Sequence, residues 1–423
     1  MEVVIFTKKI VESDIFGRLL KSEGMFINRE AMRHTYIPDE LPHRLKEIND
    51  IASIMVPALR GETPSNIFIY GKTGTGKTAV TKFVGKQLIE KGKETGKAVN
   101  FIYINCEIVD TQYRLLQNIT NHFISEWSER VPFTGWPTDE VYSKLIKLID
   151  KNTGVTVIIL DEVDKLKGDE ALYNLSRINS SLKNSKVSLV GISNDLRFTE
   201  ILDPRVRSSL GEENIIFPPY DAGEIKDILE QRATIALKSD SMDDDVIPLC
   251  SALAAQEHGD ARRALDLLRI SAELAERDNS KKISKRYVKL AQNKIEVDRI
   301  LEVVKTLPSQ SKTILLSVIL QEKNNKNSGI KGPITTGEVY EIYKELCKKI
   351  RADSLTQRRV ADLISELDML GIITARVISK GRYGRTREIN VSSSIEDIMN
   401  ILKEDEFFKG LTDYKFSGQT RLI

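Results

Sequence analysis

Residues 71–78 read Gly-Lys-Thr-Gly-Thr-Gly-Lys-Thr, and this octapeptide decides the fold. It follows an apolar run at residues 67–70 and precedes a helix-like stretch, which is the strand, glycine loop and helix order of a phosphate-binding loop. Glycine lets the backbone turn N–H groups toward phosphate oxygens, the second lysine reaches the β and γ oxygens, and the last threonine offers Mg²⁺ a hydroxyl. We predict that a nucleoside triphosphate binds at Gly71, Lys72, Thr73, Gly74, Thr75, Gly76, Lys77 and Thr78.

A second motif lies downstream, where the apolar run 157–160 ends in Asp161 and Glu162. Four β-prone residues in a row predict a buried parallel strand, whose carboxyl end is where an α/β sheet places ligand groups. Asp161 would hold Mg²⁺ through the water shell of the metal, and Glu162 would orient and deprotonate an attacking water. An acidic turn after a buried strand is common by itself, but its pairing with the glycine loop indicates a nucleoside triphosphatase.

Two further places are candidates for contact with the γ-phosphate. The predicted strand 187–192 leads to Asn194, whose amide can hydrogen-bond the γ-phosphate or the attacking water. The segment that follows contains Arg205 and Arg207, and an arginine there can reach the γ-phosphate of a neighbouring subunit as a finger in trans. A pair of surface arginines is an equally good interpretation, so the residue chemistry leaves both open.

The length of 423 residues allows two or three domains at about 150 residues each. No apolar run approaches the roughly 18 residues of a membrane span, and the first residues lack the basic region and cleavage site of a signal peptide. We therefore expect a cytoplasmic location. Cys106, Cys250 and Cys347 are far apart and form no Cys-x-x-Cys pattern, so neither disulfides nor a zinc site is indicated.

From about residue 220 the pattern becomes helical. Four segments repeat apolar residues at i, i+3 and i+4, which predicts a helical lid: 222–237, 244–258, 260–277 and 284–295. Gly259 and Asp260 are stop and cap signals, so Arg262 falls in a first helical turn. There it would reach a nucleotide held between core and lid and make lid position depend on the γ-phosphate. The alternative is that Arg262 is only an arginine on the helix surface. Its neighbour Arg263 supports this alternative, because two adjacent residues of a helix do not face the same ligand.

The net charge of +2 is unevenly distributed along the chain. Residues 281–423 carry 27 basic and 18 acidic side chains, a net charge of +9, whereas residues 1–280 carry 36 basic and 43 acidic ones, a net charge of −7. A basic excess is expected where a protein meets a polyanion, although a basic stretch is more often only a solvated face.

This basic part has the pattern of a winged helix. Three amphipathic helices are predicted at 310–322, 335–350 and 354–370, and two strands at 372–379 and 385–391. Capping boxes open the second helix, at Thr335 and Glu338, and the third, at Ser354 and Gln357. Gly371 would end the third helix. The predicted buried stripe of that helix is Leu355, Val360, Leu363, Ile364, Leu367 and Leu370.

In a winged helix the third helix enters the major groove of DNA, and the wing lies along the backbone or in the minor groove. The outward positions at the start of the third helix are Thr356, Gln357, Arg358 and Arg359. The wing carries Lys380, Arg382, Tyr383, Arg385 and Arg387. A protein-interaction module is the alternative, but four cations at a wing tip favour duplex DNA.

Taken together, the glycine loop, Asp161-Glu162, Asn194, Arg205, the Gly259 to Arg262 motif and the winged helix resemble the archaeal AAA+ replication initiators. That family is related to the first subunit of the origin recognition complex and to its cell division control relative. The early segment 36–44, Tyr-Ile-Pro-Asp-Glu-Leu-Pro-His-Arg, adds to the resemblance. The resemblance implies that ATP is the nucleotide, with Tyr36, Ile37, Pro38 and Arg44 on the adenine side. It also implies Arg262 as the second sensor and Arg205 as the finger, with Arg207 remaining possible.

The resemblance implies a fold and a function for the whole chain. The fold is an α/β P-loop AAA+ core with a parallel sheet at 1–217, an all-helical lid at 218–297 and a winged-helix domain at 298–423. The function is ATP-dependent recognition of origin DNA and help in loading an MCM-type helicase, with ATP or ADP and Mg²⁺ bound and hydrolysis slow. A nucleoid-associated location and other initiator paralogues as partners follow from it. A nucleotide-gated transcription regulator and a clamp-loader-like remodelling ATPase are the alternatives.

The resemblance also implies a helical insertion after the second core strand that touches DNA. The predicted strand 101–105, the helical segment 113–127 and the segment 127–136 would form it. The sequence does not indicate which of its residues make the contact.

Overall fold

The structure, a computed structural model, describes residues 24–210, 212–329, 332–379, 385–392 and 394–411. The chain divides into two units, residues 1–289 and 290–423. The core part of the first unit contains α1 (Leu45–Arg60), β1 (Asn66–Tyr70), α2 (Lys77–Glu94), β2 (Val99–Asn105), α3 (Gln112–His122), α4 (Thr138–Lys151), β3 (Gly154–Asp161), α5 (Glu170–Ser176), β4 (Ser185–Ser193), α6 (Phe198–Ile201), α7 (Pro204–Leu210) and β5 (Glu212–Ile216). The helices that follow are α8 (Ala222–Ala236), α9 (Val246–Gln256), α10 (Ala261–Arg277) and α11 (Lys285–Thr306). The second unit continues with α12 (Ser309–Asn327), β6 (Ile334–Thr335), α13 (Thr336–Ile350), α14 (Gln357–Met369), β7 (Ile373–Ser379), β8 (Arg385–Val391) and α15 (Ile395–Glu404).

A parallel five-stranded sheet in the order β2-β3-β4-β1-β5 lies at the centre of the first unit. The predicted strands at 67–70, 101–105, 157–160 and 187–192 are all present, and each is one to four residues longer than predicted. The register sets Asn105 opposite Asp161 and Tyr70 opposite Ser193. The carboxyl ends of β1 to β4 therefore meet at one edge, which is where parallel sheets place their ligand sites.

Alternating side chains of β3 enter two separate cores. Ile158 and Leu160 pack with the helices on one face, and Val157 and Ile159 pack on the other face with α2. Burying such a side chain completely contributes about 1.5–3 kcal/mol. Gly85 allows α2 to approach β2, because a Cβ at this position would lie 2.1 Å from an atom of the Phe101 ring.

The predicted helical lid is confirmed, and α8 begins with a capping box in which Asp221 and Glu224 each bond the backbone of the other. The N-terminal segment is attached to this lid. The N–H groups of Ile27 and Asn28 donate to Ala236 O at 2.8 and 3.1 Å, and Lys238 N donates to Met25 O at 3.0 Å. The segment before α1 is therefore fixed to the lid by backbone hydrogen bonds.

Helix α11 is longer than the predicted segment 284–295. The stretch 296–299, Glu-Val-Asp-Arg, interrupts the apolar pattern, but neither Gly nor Pro occurs between the start of the helix and Pro308, so no residue there ends the helix. At 22 residues α11 has the length of a membrane span. Nevertheless, none of the helices in the described ranges is both long and apolar enough to cross a bilayer.

The second unit is a winged helix, in which β6, β8 and β7 form a three-stranded antiparallel sheet. The capping box at Thr335 and Glu338 is confirmed. The predicted cap of the third helix at Ser354 is wrong, since Thr356 caps α14 and accepts a hydrogen bond from Arg359 N. The predicted burial of Leu370 is also wrong: it is 47% exposed, because α14 ends at Met369 and leaves it outside the apolar face.

Candidate functional site

The glycine loop connects β1 to α2 at the sheet edge where the strands end. Gly74 and Gly76 have φ angles of 72° and 90°, in the left-handed region that favours glycine. Gly74 also faces the lid: a Cβ there would lie 1.7 Å from Asp260 Oδ1, and Ala261 N donates to Gly74 O at 3.3 Å. The loop is thus in direct contact with the start of α10.

The Lys77 ammonium lies buried within this loop. It donates to the carbonyls of Gly71 and Lys72 at 2.6 and 2.8 Å, and to Asn194 Oδ1 at 2.9 Å. Burial, together with the positive charge of Arg262, lowers the pKa of Lys77 to about 8. The structure therefore brings together two of the predicted site residues, the loop lysine and the asparagine at the end of β4.

Asp161 and Thr78 meet at the base of the loop. Thr78 Oγ1 donates to Asp161 Oδ2 at 2.8 Å, and Tyr103 donates to the same oxygen at 2.7 Å. No group of three or more His, Cys, Asp or Glu that could hold a metal occurs among the described residues. A pair of hard oxygen donors without such a cage fits Mg²⁺, which is held by one or two protein groups and by phosphate.

Glu162 follows Asp161 in a left-handed backbone conformation with φ of 54°. Burial, reinforced by the carboxylates of Glu107, Asp161 and Asp164, raises the pKa of Glu162. The carboxylate of Asp164 also accepts a hydrogen bond from Ser193 Oγ at 2.9 Å. A glutamate at the end of β3 with a raised pKa has the character of a general base.

A cavity of about 380 Å³ joins these groups to the lid. Its phosphate side is formed by the loop with Thr78 and by Asp161 and Glu162. The opposite side is apolar and includes Tyr36, Ile37 and Pro38 from the segment before α1. An apolar end for a base and a polar end for phosphates match the dimensions and chemistry of a nucleotide pocket.

Arg262 and Arg263 face in different directions. Arg262 lines the cavity and lies close enough to Lys77 to lower the pKa of that lysine. Arg263 instead pairs with Glu257, with Nε 2.9 Å from Oε2. The two arginines therefore do not compete for one ligand, and the first is available to a bound nucleotide.

Arg44 does not line the cavity, contrary to its predicted place on the adenine side. Its side chain is 2% exposed and lies behind the glycine loop, where Nε donates to Thr75 O at 3.0 Å and Nη2 donates to Pro218 O at 2.7 Å. The guanidinium stacks on Tyr220 at 3.8 Å from the ring centroid. These contacts connect the loop to the segment between core and lid.

Replacing Arg44 with alanine should destabilise the first unit by about 3–5 kcal/mol, because it leaves buried carbonyls and the carboxylate of Glu47 without their partner. The melting temperature of that unit should fall by on the order of 5–10 °C. Arg44→Lys should recover little, since one ammonium cannot replace the planar fork. Differential scanning calorimetry provides the measurement, with the exposed Arg60→Ala as control. Equal melting of Arg44→Ala and wild type would show that these contacts contribute nothing.

Arg232 of α8 is a residue that the sequence did not indicate. It is buried and donates to Ala31 O at 3.0 Å and to Tyr36 O at 2.8 Å, while its guanidinium lies 4.9 Å from the centroid of the Tyr36 ring. It therefore sets the position of the apolar wall of the cavity relative to the lid. Its partners lie about 200 residues away, so no local pattern identifies it.

Arg205 and Arg207 lie outside this cavity. The Arg205 side chain is 83% exposed and forms two contacts with Asp203, from Nε at 3.2 Å and from Nη2 at 3.1 Å. Arg207 is also exposed. Both arginines are accessible to a neighbouring molecule, and the choice between them as a finger remains a prediction.

The predicted DNA-contact residues at the start of α14 are all exposed. Thr356 is the cap of the helix, and Arg359 pairs with Glu366 at 3.6 Å. Arg358 has neither an ion pair nor a side-chain hydrogen bond within the described part of the chain. On the wing strand, Arg387 donates to Ala361 O, which directs it back to α14. Lys380, Arg382 and Tyr383 lie outside the described residues, as does the side chain of Arg385.

The fold and the cavity define the class as AAA+ nucleotide-binding proteins with a winged helix. Family models agree with this: the chain matches the AAA domain over residues 60–199, the Cdc6 AAA+ ATPase-type lid domain over 226–293 and the CDC6 C-terminal winged helix domain over 302–401. The ORC1-type DNA replication protein 1 of Methanosarcina mazei is 57% identical over 406 residues, 95% of this chain and 96% of that protein. The ORC1-type DNA replication protein of Thermococcus kodakarensis is 54% identical over 414 residues, 97% of this chain and 99% of that protein. The chain belongs to the ORC1-type DNA replication protein family.

A solved structure supports the same assignment. The Aeropyrum pernix ORC1 protein in complex with DNA has a TM-score of 0.74 and 46% sequence identity, covering 92% of this chain and 99% of that one. The Cdc6p structure of Pyrobaculum aerophilum, with a TM-score of 0.56 and 23% identity, shares the fold. The resemblance predicted from the motifs is thus confirmed.

Proposed function

We propose that this protein is an ATP-dependent initiator that binds duplex DNA at replication origins and uses ATP as a slowly hydrolysed switch. The observation that carries the proposal is the cavity in which the glycine loop, Glu162 and Arg262 of the lid meet. A nucleotide in this cavity contacts core and lid at once, so the presence of a γ-phosphate changes the energy of lid closure. The ORC1-type family supplies the replication context.

The nucleotide lies with its base against Tyr36, Ile37 and Pro38 and with its phosphates on the loop 71–78. When the nucleotide binds, the Lys77 ammonium gives up its hydrogen bonds to the loop carbonyls and donates to phosphate oxygens instead. The new hydrogen bonds are charge-assisted. Thr78 and Asp161 would hold Mg²⁺, and the ion would supply positive charge that offsets the charge of the phosphates. ATP and ADP are thus the expected ligands, together with Mg²⁺.

Hydrolysis uses residues from two strand ends and from the lid. Glu162 activates the attacking water, Asn194 hydrogen-bonds the water or the γ-phosphate, and Arg262 contacts the γ-phosphate from the lid. Arg205 of a neighbouring subunit supplies further charge in trans, with Arg207 as the alternative. An isolated chain has no neighbour to supply this arginine, which is consistent with slow turnover, and the exposed pair of Arg205 with Asp203 is only a weak constraint on its release.

DNA is bound by the winged helix, with the start of α14 in the major groove and the wing on the backbone. The contacts from α14 are Thr356, Gln357, Arg358 and Arg359. Those of the wing are Lys380, Arg382, Tyr383, Arg385 and Arg387, and Arg387 has to release Ala361 O before it can reach DNA. The Aeropyrum pernix ORC1 protein has been solved in complex with DNA, and this property of a relative that shares the fold supports the proposal for this chain.

The segment between α3 and α4 is proposed as a second DNA contact. Trp127 and Phe133 are 78% and 71% exposed, and the Arg130 guanidinium lies 5.5 Å from the Trp127 ring centroid. Asn121 fixes this segment by two hydrogen bonds with the backbone of Val131, at 3.0 and 2.8 Å. Exposed aromatic side chains on a fixed loop are suited to contact with bases or sugars in a minor groove.

The partners implied by this function are an MCM-type helicase and other initiator paralogues. Mapping the chromosomal binding sites of the protein against replication start points tests the proposal. We expect the strongest sites to coincide with start points. Sites at promoters alone would contradict the initiator function and favour a nucleotide-gated transcription regulator.

A further inference from the structure

Tyr103 lies in the site without any role in the function proposed so far. Its hydroxyl donates to Asp161 Oδ2 at 2.7 Å, and Thr78 Oγ1 donates to the same oxygen at 2.8 Å. The other carboxylate oxygen, Oδ1, accepts from the backbone N–H of Glu162 at 3.1 Å. Both oxygens of the carboxylate are therefore held, and Tyr103 contributes its hydrogen bond from the neighbouring strand.

The fold places Tyr103 there through the register of β2 and β3. Phe101, Tyr103 and Asn105 point to the same face of β2, because alternate residues of a strand share a face. Phe101 packs against Gly85 of α2, and the Lys82 ammonium lies 3.7 Å from the centroid of the Tyr103 ring. The tyrosine ring is thus fixed below α2 with its hydroxyl directed at the adjacent strand end.

A carboxylate that binds a metal needs a fixed orientation. No group of three or more His, Cys, Asp or Glu that could hold a metal occurs among the described residues. The proposed function assigns the cation to Thr78 and Asp161, whose side chains meet at 2.8 Å. Because so few protein side chains bind the cation, the residues that orient those side chains strongly affect metal affinity. Loss of such an orienting residue typically reduces metal affinity 10- to 100-fold. Tyr103 orients Asp161 through a hydrogen bond of its own, in addition to the one from Thr78.

We propose that Tyr103 is a positioning residue for divalent-cation binding, which orients Asp161 toward the metal that accompanies the nucleotide. This proposal rests on the proposed function, since it requires a metal–nucleotide complex in the cavity. Tyr103 does not contact the phosphates in this role, and it acts only through Asp161. Its loss should therefore weaken cation binding and leave the metal-independent part of nucleotide binding unchanged.

The test compares wild type with Tyr103→Phe, which removes the hydroxyl and keeps the ring beneath Lys82. Binding of a fluorescent ADP analogue is measured in EDTA and over a titration of Mg²⁺. We expect the Mg²⁺ midpoint to rise about tenfold or more, with unchanged affinity in EDTA. The matched control is Tyr113→Phe, which removes a hydroxyl that donates to Pro132 O at 2.9 Å, and its midpoint should equal that of wild type.

Each outcome decides the matter. An unchanged Mg²⁺ midpoint in Tyr103→Phe would overturn the proposal, and so would an equal loss of affinity with and without Mg²⁺. A Phe variant that failed to fold, as judged by circular dichroism, would also overturn it in favour of a purely structural role. Absence of any ADP binding by wild type would instead contradict the proposed function, so the two failures are distinguishable.

Discussion

Lys77→Ala should remove ATP and ADP binding, with a loss of affinity of roughly 100-fold or more, while the protein stays folded. The buried ammonium is directed into the glycine loop, and its three acceptors lie within 2.9 Å. Alanine removes the charge-assisted hydrogen bonds to the phosphates. Isothermal titration calorimetry with each nucleotide measures the loss.

Lys86→Ala is the matched control, because this lysine also lies on α2 but its side chain is 67% exposed. Its nucleotide affinity should equal that of wild type, and both variants should retain the circular dichroism spectrum. ATP affinity that is unchanged in Lys77→Ala would overturn the assignment of the phosphate site.

The double substitution Arg382→Ala and Arg385→Ala should weaken binding to all duplex sequences and reduce the salt dependence of binding. Each phosphate contact that is lost removes about 0.9 from the slope of log K against log salt concentration, so the two together remove about 1.8. Fluorescence anisotropy with labelled duplexes between low and physiological salt gives the slope. The effect is independent of sequence because phosphate contacts carry no base information.

A second double variant controls for net charge. Arg60 and Arg277 end α1 and α10 in the first unit, and replacing both with alanine changes the charge by the same amount. The slope of this variant should remain that of wild type. A wing variant with an unchanged slope would place the phosphate contacts elsewhere on the protein.

The core could be predicted from the sequence because its signals are local. The apolar runs before Gly71 and before Asp161 are short, continuous and rich in β-branched residues, a pattern typical of buried parallel strands. Their meeting at one sheet edge follows from the parallel topology. The contact of Lys77 with Asn194 is then a consequence of adjacent strands.

Arg44 shows where sequence reasoning fails. The residue type suits both a ligand contact and a set of backbone carbonyls, and the difference depends on partners that are distant in the chain. Thr75 and Pro218 are 31 and 174 residues away from it. The hydrogen-bond partner of Tyr103 is also distant in the chain, so the sequence does not reveal the role of this residue. Its alternation with Phe101 and Asn105 along β2 nevertheless identifies the face of the strand that it occupies.

In the second unit the predicted helix boundaries depend on tertiary contacts. Ser354 and Thr356 are both good cap residues, so the pattern alone does not choose between them. Leu355 N donates to Tyr343 OH at 3.0 Å, which holds this residue outside the helix and leaves Thr356 as the cap. Helix α15 is absent from the predicted elements, although Ile395, Ile398, Met399 and Leu402 repeat at helical spacing after the cap Ser394.

The central claim is that the nucleotide in the cavity controls DNA binding. It is tested by the affinity of the full chain for an origin duplex when loaded with a non-hydrolysable ATP analogue and when loaded with ADP, both with Mg²⁺ at one salt concentration. Coupling between two sites typically changes affinity by a factor of about 5–150. We predict a difference of at least about fivefold between the two nucleotide states. Equal affinities in both states would contradict the account.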